Sequence, residues 1–242
     1  MNPEERARQA RFLFDRHRHQ FLVARALVRS TLSRYAAIDR RDWRFTNNQW
    51  GRPDIDPTHS LGDLHFNLSH TDGLIAVAVA RSGPELGVDV EDTWRRSHTD
   101  QIAEHFFAPA EVAALRNLPA ERQHARFFEL WTLKEAYIKA RGMGLAISLH
   151  HFAYALDDGG ITLSIDPTLG DTPEGWQLLL HSPTERHKLA LAVRFPDRVP
   201  AEIQIFEVLP EPERGPASAR RRGTRVCRIG HGQARPLTWW AW

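Results

Sequence analysis

Apolar and polar positions divide the chain into stretches of alternating period. Over residues 6–37, Phe12, Leu13, Leu22, Val23, Ala26, Leu27 and Leu32 fall at helical spacing, interrupted by Arg16-His17-Arg18-His19, which predicts one or two helices. Arg8 and Arg11 lie one turn apart on the first, and Arg25 and Arg29 on the second, cationic stripes of the kind that usually face solvent. Trp43-Arg44-Phe45 and Gly51-Arg52-Pro53 bracket a short strand and a turn. Leu64–Ser69 alternates like a strand, His70-Thr71-Asp72-Gly73 supplies a turn, and Leu74–Ala80 is apolar throughout, as in a central strand. Leu86–Glu91 alternates again, putting Val88 and Val90 on one face and Asp89 and Glu91 on the other.

Residues 92–101 are polar and are expected to connect two lobes. Ile102–Phe107 and Ala110–Leu115 read as two short helices, with Pro109 in the first turn of the second. From Phe127 to Leu145 the pattern is one amphipathic helix, with Phe127, Trp131 and Ile138 at helical spacing and Gly142 and Gly144 as its stop. Thr132, Glu135, Lys139 and Gly142 fall on one stripe of it. Ser148–Leu156, Ile161–Ile165, Trp176–His181, Lys188–Phe195 and Ile203–Val208 read as strands. The expected organisation is an N-terminal lobe at 1–92, a C-terminal lobe of helices on an antiparallel sheet at 93–209, and an uncored, basic, disordered tail at 210–242.

With 242 residues and 42% hydrophobic content the chain can bury a real core. The longest apolar run, Leu74–Ala80, falls far short of the roughly 20 residues of a membrane helix, and no apolar signal core is present, so a cytoplasmic location is expected. Cys227 is the single cysteine, which excludes a disulfide framework and a Cys-rich zinc site, and the histidines show no HExxH spacing. Residues 210–242 carry seven Arg and two Glu, so the net charge of +2 leaves −3 for residues 1–209. The body is therefore not a basic protein, and no nucleic-acid partner is expected for it.

Only three of the 32 Lys and Arg residues are lysine, and two of those, Lys134 and Lys139, lie in the long helix. A lysine is a compact, mobile charge suited to neutralising a moving phosphate oxygen; Glu135 and Lys139 at i,i+4 are equally a surface pair contributing about 0.3–0.5 kcal/mol. Asp89 and Glu91 on one strand face repel unless a cation lies between them, and Mg²⁺ needs only a few such hard oxygen ligands; a solvated strand end is the plain alternative. His70 either performs chemistry or satisfies its turn. A metal-dependent nuclease would also use acidic pairs and a lysine, but Glu91 is followed by Asp92-Thr93 rather than by the x-Lys of that motif.

Taken in order, Gly51-Arg52-Pro53, Phe66-Asn67-Leu68-Ser69-His70, Gly87-Val88-Asp89-Val90-Glu91, Phe106-Phe107 with Glu111, and Trp131-x-x-Lys134-Glu135-x-x-x-Lys139-x-x-Gly142-x-Gly144-Leu145 closely resemble the 4′-phosphopantetheinyl transferases, in the two-lobed, Sfp-type branch. The resemblance spans about Pro3 to Val208. It implies an α+β fold of two pseudo-duplicated lobes, each with helices packed on an antiparallel sheet, and coenzyme A in the cleft between them. It implies a holo-[acyl-carrier-protein] synthase activity: transfer of 4′-phosphopantetheine from coenzyme A to a serine of an apo acyl, peptidyl or aryl carrier protein, releasing adenosine 3′,5′-bisphosphate. The alternative is a catalytically impaired protein that binds carrier or coenzyme A.

By position, the resemblance assigns Asp89, Glu91 and Glu135 to Mg²⁺, with Mn²⁺ as a substitute, and Lys139 to the diphosphate. Arg8, Arg52, Pro53, Ser69 and His70 go to the nucleotide end and its 3′-phosphate, and Lys134 joins the coenzyme A contacts. Glu135, or a metal-bound water oriented by Glu111, would take the serine proton. Relatives usually have a strand ahead of the Pro-Glu-x-Arg segment, which here opens at Pro3, and a base where this chain has Glu5; Arg8, Arg11 or Arg18 would compensate. Phe107, Leu115 and Leu118, rimmed by Arg116, Arg122 and Arg126, are the expected docking face for the carrier, with core burial as the competing reading of the apolar members and the favoured one for Phe107. A monomer without membrane contact is expected.

Overall fold

Asn2 accepts the backbone N–H of Glu5 at 2.8 Å while the Glu5 carboxylate accepts that of Asn2 at 2.9 Å, a reciprocal cap that starts α1 (Pro3–Ala10). The computed structural model describes residues 1–208, 225–226 and 235–241, and the chain divides into two compact units. After α1 comes α2 (Asp15–Leu32), then a two-stranded antiparallel sheet of β1 (Phe45–Asn47) and β2 (Pro53–Ile55). The β3 (Leu64–Thr71) and β4 (Leu74–Arg81) hairpin follows, turning at Gly73, whose φ of 78° suits glycine. Ala24, Leu27, Val28 and Leu32 of α2 pack with Trp43, Phe66, Val77 and Val79.

Arg29 lies on that buried face of α2, not on a solvated stripe. It is 3% exposed and donates to the Trp43 carbonyl at 2.7 Å, to the Arg40 carbonyl at 3.1 Å and to Glu5 Oε2 at 2.8 Å. A charge so placed is tolerable because Nη1 and Nη2 find acceptors, one of them the Glu5 carboxylate.

The second unit runs from Pro84 to Pro200. It contains β5 (Glu85–Asp92), α3 (Thr99–Phe106), α4 (Pro109–Arg116), α5 (Ala120–Arg141), β6 (Phe152–Asp157), β7 (Gly160–Ile165), β8 (Gln177–Thr184) and β9 (His187–Arg194). β5, β9 and β8 form an antiparallel sheet in that order, and β6 and β7 a hairpin. α5 begins before Phe127, because residues 120–126 form helix without an apolar period; it ends at Gly142, whose φ is 67°. Its buried side carries Phe127, Phe128, Leu130, Leu133, Ala136, Tyr137 and Ile138, which share a core with Phe107, Leu115, Phe152 and Tyr154.

The boundaries differ from those read from the sequence. β5 pairs with β9, so the division falls at residues 83/84 and not 92/93. β10 (Ala201–Glu207) leaves the second unit and joins a five-stranded sheet of the first, ordered β11-β10-β12-β4-β3, with β11 at Arg225–Val226 and β12 at Arg235–Ala241. Two strands thus come from the stretch expected to be a disordered tail; residues 210–224, 227–234 and 242 lie outside the described residues. Among the described residues no helix is long and apolar enough to cross a membrane.

Strand β5 and helix α5 touch backbone to backbone at Gly87, where a Cβ would meet the Ala136 carbonyl oxygen at 2.0 Å and the Ala140 nitrogen at 2.3 Å. Gly87→Ala is expected to destabilise the protein by about 3 kcal/mol, the upper range for overpacking, seen as a lowered urea midpoint. If there were room, the same change would raise the midpoint by relieving the entropic cost of a strand glycine.

Candidate active site

Because α5 rests on β5, residues at i, i+4 and i+8 of the helix, Trp131, Glu135 and Lys139, come over the strand face that carries Asp89 and Glu91. Lys139 Nζ donates to Asp89 Oδ1 at 2.6 Å, and Trp131 Nε1 donates to Glu91 Oε1 at 3.1 Å. Arg95 Nη2 lies 3.6 Å from Glu91 Oε2. Asp89 is 4% exposed; Glu91, Glu135 and Lys139 are half-buried. Burial, and after it the charge of Asp89, pushes Glu91 up to about 7, against Arg95, the Trp131 hydrogen bond and Lys139. Burial and then Asp89 also raise Glu135, with Lys139 opposing. Both glutamates thus feel the aspartate as a near like charge.

These residues have the chemistry a divalent cation needs: hard carboxylate oxygens, buried or half-buried, with the Asp89 charge disfavouring ionisation of Glu91 and Glu135. Among the described residues, however, no group of three or more His, Cys, Asp or Glu side chains is arranged to hold a metal ion. Lys139 is the cationic partner of Asp89 here. Thr132, expected on the same stripe, is instead fully buried and donates to the Phe128 carbonyl at 2.5 Å. Trp131 and Arg95 were not anticipated as partners of Glu91. The i,i+4 step from Trp131 to Glu135 was the available signal for the first; nothing in the sequence signals the second.

Lys134 and Glu111 are corrected by the structure. Lys134 is 0% exposed and Glu111 1%. Lys134 Nζ lies 2.7 Å from Glu111 Oε2, donates to the carbonyls of Leu149 at 2.8 Å and Phe152 at 2.6 Å, and sits 4.3 Å from the Phe152 ring centroid. Glu111 also accepts the backbone N–H groups of Ala108 at 3.0 Å and Tyr154 at 2.9 Å. Burial pushes Glu111 up and Lys134 down, each opposed by its partner's charge. So enclosed, the pair ties α4 and α5 to the start of β6. At the expected docking face, core burial, the competing reading of its apolar members, holds for Phe107 and Leu115. Phe107 at 1% and Leu115 at 5% exposure belong to the core, and Arg116 is bonded to Glu104. Leu118, Arg122 and Arg126 border an open groove of about 780 Å³.

In the first unit, Arg8 and Pro53 line a cavity of about 120 Å³ together with Glu5, Phe21, Arg25 and Phe45. Arg8 is exposed, its guanidinium 5.7 Å from the Phe21 ring centroid. Arg25 was missed; its Nε lies 3.7 Å from Glu5 Oε1, and burial lowers its pKa, with Glu5 opposing and Arg8 and Arg29 reinforcing. Glu5 is neutralised by Arg29, and Arg18 is bonded to Asp15 and the Phe12 carbonyl, which leaves Arg8 and Arg25 as the cations at this cavity. The Asn2-x-x-Glu5 capping spacing was the sequence signal that Glu5 is structural. Arg52 is half-buried in the turn before β2; Ser69 is buried on β3 opposite Ala76, and His70 is exposed opposite Ile75.

A family model described as the 4′-phosphopantetheinyl transferase superfamily matches residues 85–195, and one described as 4′-phosphopantetheinyl transferase, N-terminal, matches residues 1–82. The two matches meet where the compact units divide. The chain is 34% identical over 193 residues to the 4′-phosphopantetheinyl transferase HetI of Nostoc sp., covering 80% of this chain and 78% of that one. It is 32% identical over 197 residues to the 4′-phosphopantetheinyl transferase Sfp of Bacillus subtilis, covering 81% and 84%. Among solved structures, the Thermotoga maritima holo-[acyl-carrier-protein] synthase matches 46% of this chain and 62% of its own at 22% identity, with a TM-score of 0.38.

Lys134→Met leaves the Glu111 charge buried without its partner and is expected to cost about 3–5 kcal/mol in denaturant unfolding. The double variant Lys134→Met with Glu111→Gln, which removes both charges and keeps one of the two oxygens that accept from Ala108 and Tyr154, should lose less than the single one. A single variant of near-normal stability would show that the pair does not hold this core.

Proposed function

This chain belongs to the 4′-phosphopantetheinyl transferase superfamily, and from that premise we infer that it transfers the phosphopantetheine arm of coenzyme A to a serine of an apo carrier protein. The observation that supports this most is the Lys139–Asp89 contact with Glu135 and Glu91 beside it, cationic and acidic groups offered together from a rigid helix and strand. The serine oxygen attacks the phosphorus that bears pantetheine, the diphosphate bond breaks, and adenosine 3′,5′-bisphosphate leaves with the electron pair. Both the attacked group and the leaving phosphate carry negative charge, so Lys139 offsets part of it.

Asp89, Glu91 and Glu135 would hold Mg²⁺, or Mn²⁺ in its place. Bound there, the cation supplies Lewis-acid stabilisation of the diphosphate oxygens. Glu135 is also assigned the serine proton, since it stands at the same site within reach of the attacked group's counter-charges. Glu111 has no part in it. The nucleotide end is assigned to the first unit: Arg8 and Arg25 to the 3′-phosphate, and Arg52, Pro53, Ser69 and His70 to the rest. The same reading includes a pseudo-duplication of the two α+β units, a monomeric state and a cytoplasmic location.

Mass spectrometry of an apo carrier protein incubated with the enzyme, coenzyme A and Mg²⁺ tests the activity directly: a gain of one phosphopantetheine arm is expected. Coenzyme A binding without that gain would favour the impaired binding protein. Asp89→Ala should lower transfer by about 10²-fold or more, the scale of losing one electrostatic stabiliser. Near-normal transfer would refute its role. Arg8→Ala should weaken coenzyme A by about 1.5–3 kcal/mol while leaving dephospho-coenzyme A nearly unaffected, measured as a pair of affinities. Equal losses would move the 3′-phosphate elsewhere.

A further inference from the structure

The five-stranded sheet of the first unit has at its centre a strand from the far end of the chain. All seven residues of β12 pair in parallel with β10, from Ala201↔Arg235 to Glu207↔Ala241. Thr238–Ala241 also pair antiparallel with β4, Thr238 with Val79 and Ala241 with Ala76. β4 is the apolar strand whose Ala76, Val77, Ala78 and Val79 are all 0% exposed. Among the described residues β12 is the sheet's sole ladder link between β10 and the β3–β4 hairpin. Without it, the apolar β4 and the alternating β10 would present open edges, which sheets avoid because unpaired N–H and C=O groups are costly and recruit other strands.

Two sequence features agree with that placement. Pro236 falls in the half of β12 that has one neighbouring strand, where a missing N–H is tolerated, and the doubly paired half, Thr238-Trp239-Trp240-Ala241, is rich in strand-favouring residues. Closure within one chain is also sterically open. A parallel return needs a crossover of about a dozen residues, and 27 residues separate Glu207 from Arg235.

We propose that residues 235–241 are a complementing strand supplied in cis by the C-terminal segment, without which the first unit's sheet is incomplete, and that through β4 this strand positions the β3 end that carries Ser69 and His70. The second clause rests on the assignment of those residues to coenzyme A; the first stands without it.

Hydrogen exchange of the full-length chain tests the strand. Amides of 238–241, and those of 76–79, should exchange at least about 100-fold more slowly than in a free peptide, and equally at low and high protein concentration. Free-peptide exchange at 238–241 would overturn the proposal, and protection that fades on dilution would overturn closure in cis. Thr238→Pro in the full chain, which removes one central N–H, should speed exchange at 76–79 by at least about 10-fold. A chain ending at Ala234 should do the same and be restored by added peptide 233–242; unchanged exchange at 76–79 in both variants refutes the strand's role. If protection behaves as expected while coenzyme A affinity stays the same in Thr238→Pro, the positioning clause fails and the strand stands.

Discussion

At Gly87 the backbone of β5 lies so close to α5 that a side chain would overlap the Ala136 carbonyl, and the second unit's chemistry hangs on that contact. An ordinary helix stands off a sheet by the length of its side chains. Here glycine on the strand and alanines at 136 and 140 on the helix remove that spacing, so residues flanking them meet across the interface. Glu135 and Lys139 each precede one of those alanines. Lys139 therefore reaches Asp89 at 2.6 Å with a side chain that is only part exposed. Preorganisation of this kind is what electrostatic catalysis requires, because donors fixed before the reaction cost no reorganisation during it.

Buried charges elsewhere hold the scaffold in place. Glu111 and Lys134 satisfy four backbone groups between them in addition to each other, and Arg29 joins Glu5 to the carbonyls around Trp43. Such pairs add little net stability over an apolar core, but the loss of one member leaves a charge with nowhere to go. They fix the relative positions of loops and helix starts that apolar contacts alone would leave free to slide. Asp171 acts similarly near the end of α5, accepting from Tyr137 at 2.6 Å, from Arg141 and from Arg194.

Much was legible in the residues alone. Among the described residues periodicity located the α-helices and most of the longer strands, since amphipathic burial is a local pattern; the glycine stop at 142 and the turn at Gly73 follow from backbone sterics. The ordered motifs carried the family, and strand alternation put Asp89 and Glu91 on one face of β5. Pairing was not legible. Whether β5 and β10 belong with the preceding or following strands depends on hydrogen bonds between distant residues, and strand alternation is identical whichever neighbour is chosen. For the same reason a seven-residue strand after an Arg-rich and Gly-containing stretch read as part of an uncored tail.

The two lysines of α5 show where the division lies. From the sequence they are alike: scarce residues on one helix, each able to face a phosphate. The sequence by itself determined the helix, the strand carboxylates and the pairing of Glu135 with Lys139 on one stripe. Only the tertiary structure decided that Lys134, five residues before Lys139 and so on another side of the helix, turns into the core toward Glu111, while Lys139 turns toward Asp89. The physical reason is that burial depends on what packs against each face, and that is set by the Gly87 contact and by chain segments far away in sequence.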